Sequence, residues 1–148
     1  MNAETFPMKL LLTVDGIKGI SHTMKTAVDL AKKTDSELHV IHVGMLSRWT
    51  HPDTLSDAQY DKLKQEAQER LDRDVQQIKD MDGTITESYV RMGKVDGEII
   101  KLSEEIGADI IIIGNREQNT ASRILLGNDA ESIVRHAPCT VIVVRQEK

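Results

Sequence analysis

DIIIIGNREQNTASRILLGNDAESIVRHAPCTVIVVR, running from Asp109 to Arg145, decides how the chain is read. Its first part, Asp109–Gly114 (DIIIIG), is a continuous aliphatic run closed by glycine, the pattern of a strand buried on both faces, and Thr140–Arg145 (TVIVVR) repeats it. Asn128–His136 between them reads as a short helix with Pro138 just beyond its end. Strands of this kind joined through a helix imply a parallel pair, because parallel neighbours need a crossover.

Working outward from that segment, Val95, Ile99, Leu102 and Ile106 mark a third helix stopped by Gly107, and Thr84–Arg91 reads as a third strand. Upstream, Leu63, Ala67, Leu71, Val75 and Ile78 form one stripe of a long helix that starts at Ser56 and ends at Asp82-Gly83. Met8–Val14 and Glu37–Val43 read as the first and second strands. A helix from about Ser21 to Thr34 joins them, with Met24, Ala27, Val28 and Ala31 on its apolar face. Met45–Leu55, which contains Pro52, Trp49 and Arg48, has no period and is expected to be an exposed connection. The resulting order β-α-β-α-β-α-β-α-β is an α/β chain: a doubly wound parallel sheet with helices on both faces.

At 148 residues the chain is expected to form a single domain, 1–148. A net charge of −5 with no concentrated basic stretch disfavours nucleic acid and anionic membranes as partners. The longest aliphatic runs, Leu10–Leu12, Ile110–Ile113 and Val141–Val144, are far shorter than the roughly 20 residues of a membrane helix, so a cytoplasmic protein is expected. The single cysteine, Cys139, cannot form an internal disulfide and lacks the companions of a zinc site; it reads as an inert core thiol.

Open α/β sheets bind ligands beyond the carboxyl ends of their strands. The residues to interrogate are therefore Thr13–Gly19, Val43-Gly44 and Gly114–Asp129. Gly127 and Asn128 open a helix, where free N–H groups and the positive end of the helix dipole favour an anion such as phosphate. Equally, Gly127 permits a turn and Asn128 caps the helix, with Glu131 completing an asparagine variant of the capping box. Asp15 reads either as a loop cap or as a ligand contact.

Val14–Gly16 (VDG), Ile110–Glu117 (IIIIGNRE) and Ile124–Arg145 (ILLGNDAESIVRHAPCTVIVVR), together with the element order, resemble the universal stress protein family over essentially the whole chain. The resemblance implies strand order 3-2-1-4-5, a homodimer and, in one branch, ATP at the switch point held by G-x2-G-x9-G-[ST]. Laid on this sequence, that motif falls on Gly114, Glu117, Gly127 and Asn128, so two of its four positions depart. Glu117 puts a carboxylate where a glycine admits phosphates, which argues against ATP, while Asn128 is a softer change. Arg116 and Arg123 are candidate cations. Asp15 matches the family's acidic nucleoside contact and Val43 its apolar residue near the base. Thr13, Val14, Ile113 and Asp129 complete the implied nucleotide site, with ATP or AMP as its ligand.

Other chemistries lack their signatures. Gly93-Lys94 has no phosphate-loop partner glycine, no G-x-S-x-G elbow occurs, and the third strand ends in Tyr89-Val90-Arg91 without a phospho-acceptor aspartate. His22, His39, His42, His51 and His136 show no i, i+4 spacing, and no metal site is expected. The expected function is a non-enzymatic, dimeric stress-response module with a degenerate adenine-nucleotide site. The alternative is an ATP-binding signalling protein or weak ATP hydrolase on the same fold. Dimerisation is expected through the last strand, an aliphatic edge in the implied order, with Val141, Ile142, Val143 and Val144 at the interface.

Overall fold

The structure is a computed structural model describing residues 8–14, 21–46, 55–115 and 128–145. Five strands and four helices alternate along the chain: β1 (Lys9–Val14), α1 (Ser21–Thr34), β2 (Glu37–Met45), α2 (Asp57–Asp80), β3 (Glu87–Gly93), α3 (Val95–Ile106), β4 (Ile110–Asn115), α4 (Asn128–His136) and β5 (Thr140–Arg145). All strand pairs are parallel, in the order β3-β2-β1-β4-β5.

Side-chain alternation along the strands divides the interior into two cores. Leu10, Leu12, Val14, Ile110, Ile112 and Val144 face Met24, Ala27 and Val28 of α1 and Leu71 and Ile78 of α2. Leu11, Ile41, Val43, Ile111 and Ile113 face Ile99 and Leu102 of α3 and Ile133 of α4. Burial on both faces is why these strands read as near-continuous aliphatic runs. Ser56 starts α2 with a capping box: its hydroxyl accepts from the Gln59 N–H while the Gln59 amide oxygen accepts from the Ser56 N–H. Gly107 ends α3 with φ +67°, the left-handed conformation glycine adopts without strain.

Several strand boundaries differ from the sequence reading; β1 starts at Lys9 instead of Met8, and β4 runs on to Asn115. β2 continues through Gly44 to Met45, so Met45 belongs to a strand and not to the connection expected there. Gly44 does not punctuate the chain: a Cβ there would lie 2.5 Å from Met92 Sδ and 3.0 Å from Ala67 Cβ, so its bareness admits neighbours from β3 and α2. β3 begins at Glu87, not Thr84, and extends to Gly93. Thr86 precedes it because its own hydroxyl oxygen accepts the Leu38 N–H at 3.2 Å while its N–H donates to the Leu38 carbonyl at 2.8 Å. β4 starts at Ile110 since the Asp109 carboxylate accepts the Lys9 N–H at 2.8 Å in place of a ladder bond. The Trp49 and Arg48 loop expectation lies outside the described residues.

Candidate functional site

The centre of the sheet parts at its carboxyl end. β1 pairs with β4 only from Leu10↔Ile110 to Leu12↔Ile112, although β1 stays paired with β2 as far as Val14 and β4 with β5 as far as Asn115. Beyond Leu12 and Ile112 the two strands share no ladder, at the point where the chain's winding reverses and where open α/β sheets take ligands. The helices α1, α3 and α4 each follow a strand and so begin at this edge.

Of the expected site residues, the structure places Thr13, Val43 and Ile113 on the α3/α4 face and Val14 and Gly114 on the α1 face. Val43 and Ile113 are buried in the α3/α4 core and Val14 in the α1 core. Gly114 has a packing reason that sequence reading missed. A Cβ there would sit 2.7 Å from Thr23 Oγ1, and Thr23 is fully buried in the first turn of α1. Asp15, Arg116, Glu117, Arg123 and Gly127 lie outside the described residues, as does the side chain of Asn128. Asn128 does begin α4, in agreement with the sequence.

His42 sits opposite Val14 at the carboxyl end of β2. It is buried, and its Nδ1 lies 2.9 Å from the Val14 carbonyl oxygen. A carbonyl only accepts, so Nδ1 carries the proton and the imidazole holds the last carbonyl of β1. His39 behaves as a satisfied core histidine, with Nδ1 2.9 Å from the Tyr89 hydroxyl and Nε2 3.2 Å from Glu37.

The mouth between α3 and α4 is acidic. Asp96, in the first turn of α3, is 8% exposed, and its Oδ2 accepts a 2.5 Å hydrogen bond from Ser132 Oγ of α4. That bond, helped by the Gly97 N–H, holds the Asp96 carboxyl below its ordinary pKa. Its Oδ1 is buried and has no hydrogen-bond partner, with Lys94 Nζ at 3.9 Å. Asp129, in the first turn of α4, keeps an exposed surface, yet partial burial of its carboxyl and then repulsion from Asp96 raise its pKa against the pull of Lys94. Glu131 is engaged by Arg135 at 3.0 Å. Neither Asp96 nor Ser132 stood out in the sequence, because 36 residues separate them and no local pattern joins them.

Among the described residues no group of three or more His, Cys, Asp or Glu side chains is arranged to hold a metal ion, and no helix is long and apolar enough to cross a membrane. Cys139 packs against the α3/α4 core, and burial pushes its thiol pKa up, as suits an unreactive thiol. On β5, Val144 and Ile142 pack on the α1/α2 core and Val141 and Val143 on the α3/α4 core. β5 is an edge strand, with Val141, Ile142 and Val143 half-buried and Val144 buried.

Residues 8–145 match the family model described as the universal stress protein family. A protein named for that family in Staphylococcus haemolyticus is 33% identical over 141 residues, covering 94% of this chain and 85% of the relative. One from Staphylococcus aureus is 35% identical over 141 residues, covering 94% and 84%. Among solved structures, the universal stress protein of Lactobacillus plantarum superposes with a TM-score of 0.76 at 23% identity, covering 93% of this chain and 97% of its own. The universal stress protein of Archaeoglobus fulgidus in complex with dAMP gives 0.64 at 19% identity, covering 93% and 98%. Another, in complex with cAMP, gives 0.61 at 20% identity, covering 95% and 98%. With its sheet order, its parted central strands and these matches along nearly its whole length, the chain belongs to the universal stress protein family.

Proposed function

We propose that this chain is a non-enzymatic, cytoplasmic stress-response module of a single domain, dimeric through β5, that holds an adenine nucleotide at the carboxyl ends of β1, β2 and β4. The observation that carries the reading is the parting of β1 from β4 beyond Leu12 and Ile112, beside the start of α4. Structural neighbours in complex with dAMP and cAMP support an adenine nucleotide as the ligand. Asp15 is assigned to the nucleoside and Val43 to the base. Thr13, Val14, Ile113 and Gly114 are assigned beside them, and Arg116, Glu117, Gly127, Asn128 and Asp129 to the phosphate end.

The site takes AMP or adenosine more readily than ATP. A Glu117 carboxylate about 4–5 Å from a phosphate oxygen costs on the order of 3 kcal/mol at an effective dielectric near 20, about a hundredfold in affinity. Calorimetry of AMP and ATP against the unmodified protein and Glu117→Gly tests this, and the substitution should strengthen ATP more than AMP. Tight ATP binding that the glycine leaves unimproved removes the Glu117 argument, and absence of AMP binding removes the nucleotide site. Steady release of phosphate or AMP from magnesium ATP, above a heat-treated control, would favour the hydrolase alternative.

Dimerisation through β5 rests on its edge position and on the lack of proline or internal charge over Thr140–Val144. Val134 on α4, 46% exposed, adds apolar surface on a helix that contacts β5. A protein that sediments as a monomer at micromolar concentration refutes it.

A further inference from the structure

We propose that His39, Tyr89, Glu37 and Glu87 form a proton-operated latch that fastens the edge strand β3 to β2 when the imidazole takes up a second proton. The latch lies toward the amino ends of these strands and does not depend on the adenine site proposed above.

Within the sheet, β3 is paired with β2 alone. The His39 side chain on β2 is 7% exposed, and it meets Tyr89 diagonally across the ladder, since His39 pairs with Glu87 and Ile41 with Tyr89. Three contacts converge there. His39 Nδ1 is 2.9 Å from the Tyr89 oxygen, His39 Nε2 is 3.2 Å from Glu37 Oε1, and the Tyr89 hydroxyl is 3.3 Å from Glu87 Oε2. Ionised carboxylates only accept hydrogen bonds, and the phenol has one proton to give. If that proton goes to Glu87, Nδ1 must be an N–H, and Nε2 must be an N–H to reach Glu37. A neutral imidazole has a single N–H, so it completes two of the three contacts and sets lone pair against lone pair in the third. The imidazolium completes all three.

The surrounding charge favours the second proton, although burial opposes it. Glu37 touches the imidazole directly and Glu87 acts through the phenol. The cations nearby are already engaged. Arg91 of β3 is held by Glu105 of α3 at 2.6 Å and also interacts with Glu98. Lys9, opposite Glu37 on β1, donates to the Ile106 carbonyl at 3.1 Å, and it shares the cavity beside Glu37 with Asp35 and Asp109. Burial and then Glu87 raise the Tyr89 pKa, so the phenol keeps the proton the network needs. The latch is therefore closed in mild acid, while the carboxylates are still ionised, and one contact opens as pH rises and His39 gives up its second proton. Its sign is opposite to that of the Ser132–Asp96 bond, which needs only an ionised carboxylate.

The experiment uses the full chain. Nitrogen NMR of the imidazoles reads which His39 nitrogens carry protons, and amide hydrogen exchange reads how firmly β3 is held. At pH 5.5 both His39 nitrogens should be protonated, and at pH 8.5 one of them should not be. Glu37→Gln discriminates, because an amide can donate to Nε2 and so completes the network around a neutral imidazole. It should lower the midpoint of the His39 titration by about 0.5 pH unit or more. Tyr89→Phe keeps the ring and removes the bridge. The factor by which it lowers β3 amide protection should be at least about threefold greater at pH 5.5 than at pH 8.5. A His39 in the same protonation state at both pH values, a midpoint that Glu37→Gln leaves unmoved, or an equal loss of β3 protection at both pH values overturns the latch. If Tyr89→Phe does not fold, the Glu37→Gln titration decides alone, since Glu37 is exposed and the amide has the shape of the carboxylate.

Discussion

Gly114→Ala separates a phosphate-admitting glycine from a packing glycine. The backbone at Gly114 is ordinary strand, and the positive-φ glycines among the described residues are Gly93 and Gly107, so conformational freedom is not what the position requires. What it requires is space. The added methyl would fall 2.7 Å from Thr23 Oγ1 and 3.6 Å from Thr23 Cβ and Cγ2. Ordinary contact is nearer 3.4 Å or more, so α1 or β4 must shift by roughly half an ångström or more. Thr23 is 1% exposed and cannot swing into solvent. Overpacking of this kind costs about 1–3 kcal/mol, which for a chain of this size lowers the melting temperature by about 2–4 °C per kcal/mol. Urea unfolding of Gly114→Ala, Thr23→Ala and the double variant gives the coupling. Thr23→Ala alone opens a small void, but in the double variant the new methyl occupies part of it, so the pair should be more stable than the sum of the singles by about 1 kcal/mol or more. A Gly114→Ala protein as stable as the original, or a destabilisation that Thr23→Ala does not relieve, refutes the packing account. Loss of nucleotide affinity without loss of stability would instead restore Gly114 to the phosphates.

Ser132→Ala should cost about 1.5–3 kcal/mol at neutral pH, because Asp96 would lose its hydrogen bond while staying buried. The Asp96 pKa is depressed in the folded state, so this stability is present above the unfolded carboxylate pKa and is lost as pH falls through the lower folded value. Urea midpoints of the two proteins should therefore converge in acid, and a pH-independent gap would contradict the Asp96 link. Tyr89 is held protonated beyond its ordinary pKa first by burial and then by Glu87, so absorbance at 295 nm should show a late-titrating phenol that disappears in Tyr89→Phe. Because that pKa is raised, the accompanying stability is full below pH 10 and declines as pH rises through the folded value. Alkylation of Cys139 at pH 8 should run several-fold slower than that of a free thiol and accelerate on unfolding in urea; equal rates would show that its burial does not protect it.

The element order was legible because Leu10–Leu12 and Ile110–Ile113 are apolar at consecutive positions, as a strand covered on both faces demands, whereas the sheet order followed only from the family resemblance. Gly44 misled the reading, since a glycine that admits Met92 and Ala67 looks in one dimension like a glycine that ends a strand. Thr86 misled it as well: its β-branched side chain signals a strand, yet its hydroxyl substitutes for a ladder acceptor. For the site, the start of α4 and the place of Val43 at a strand end followed from strand-end logic, while Ile113 entered only through the family resemblance. The Asp96–Ser132 clasp and the Thr23–Gly114 approach did not, because each joins residues far apart in the chain whose types are individually unremarkable.

The seam between β1 and β4 also governs the order in which the molecule can be assembled. Lys9 and Asp109, which exchange hydrogen bonds at its base, are 100 residues apart. β1, β2 and β3 can associate as soon as they are made, but the other flank of β1 receives its partner only when Ile110–Ile112 emerge. At ribosomal rates of about 5–20 residues per second that wait is about 5–20 s, during which Leu10–Leu12 present an open apolar strand edge. The nascent chain thus passes through an aggregation-exposed half-sheet, and substitutions that slow the arrival or docking of β4 should lower soluble yield in the cell even where the finished protein is equally stable.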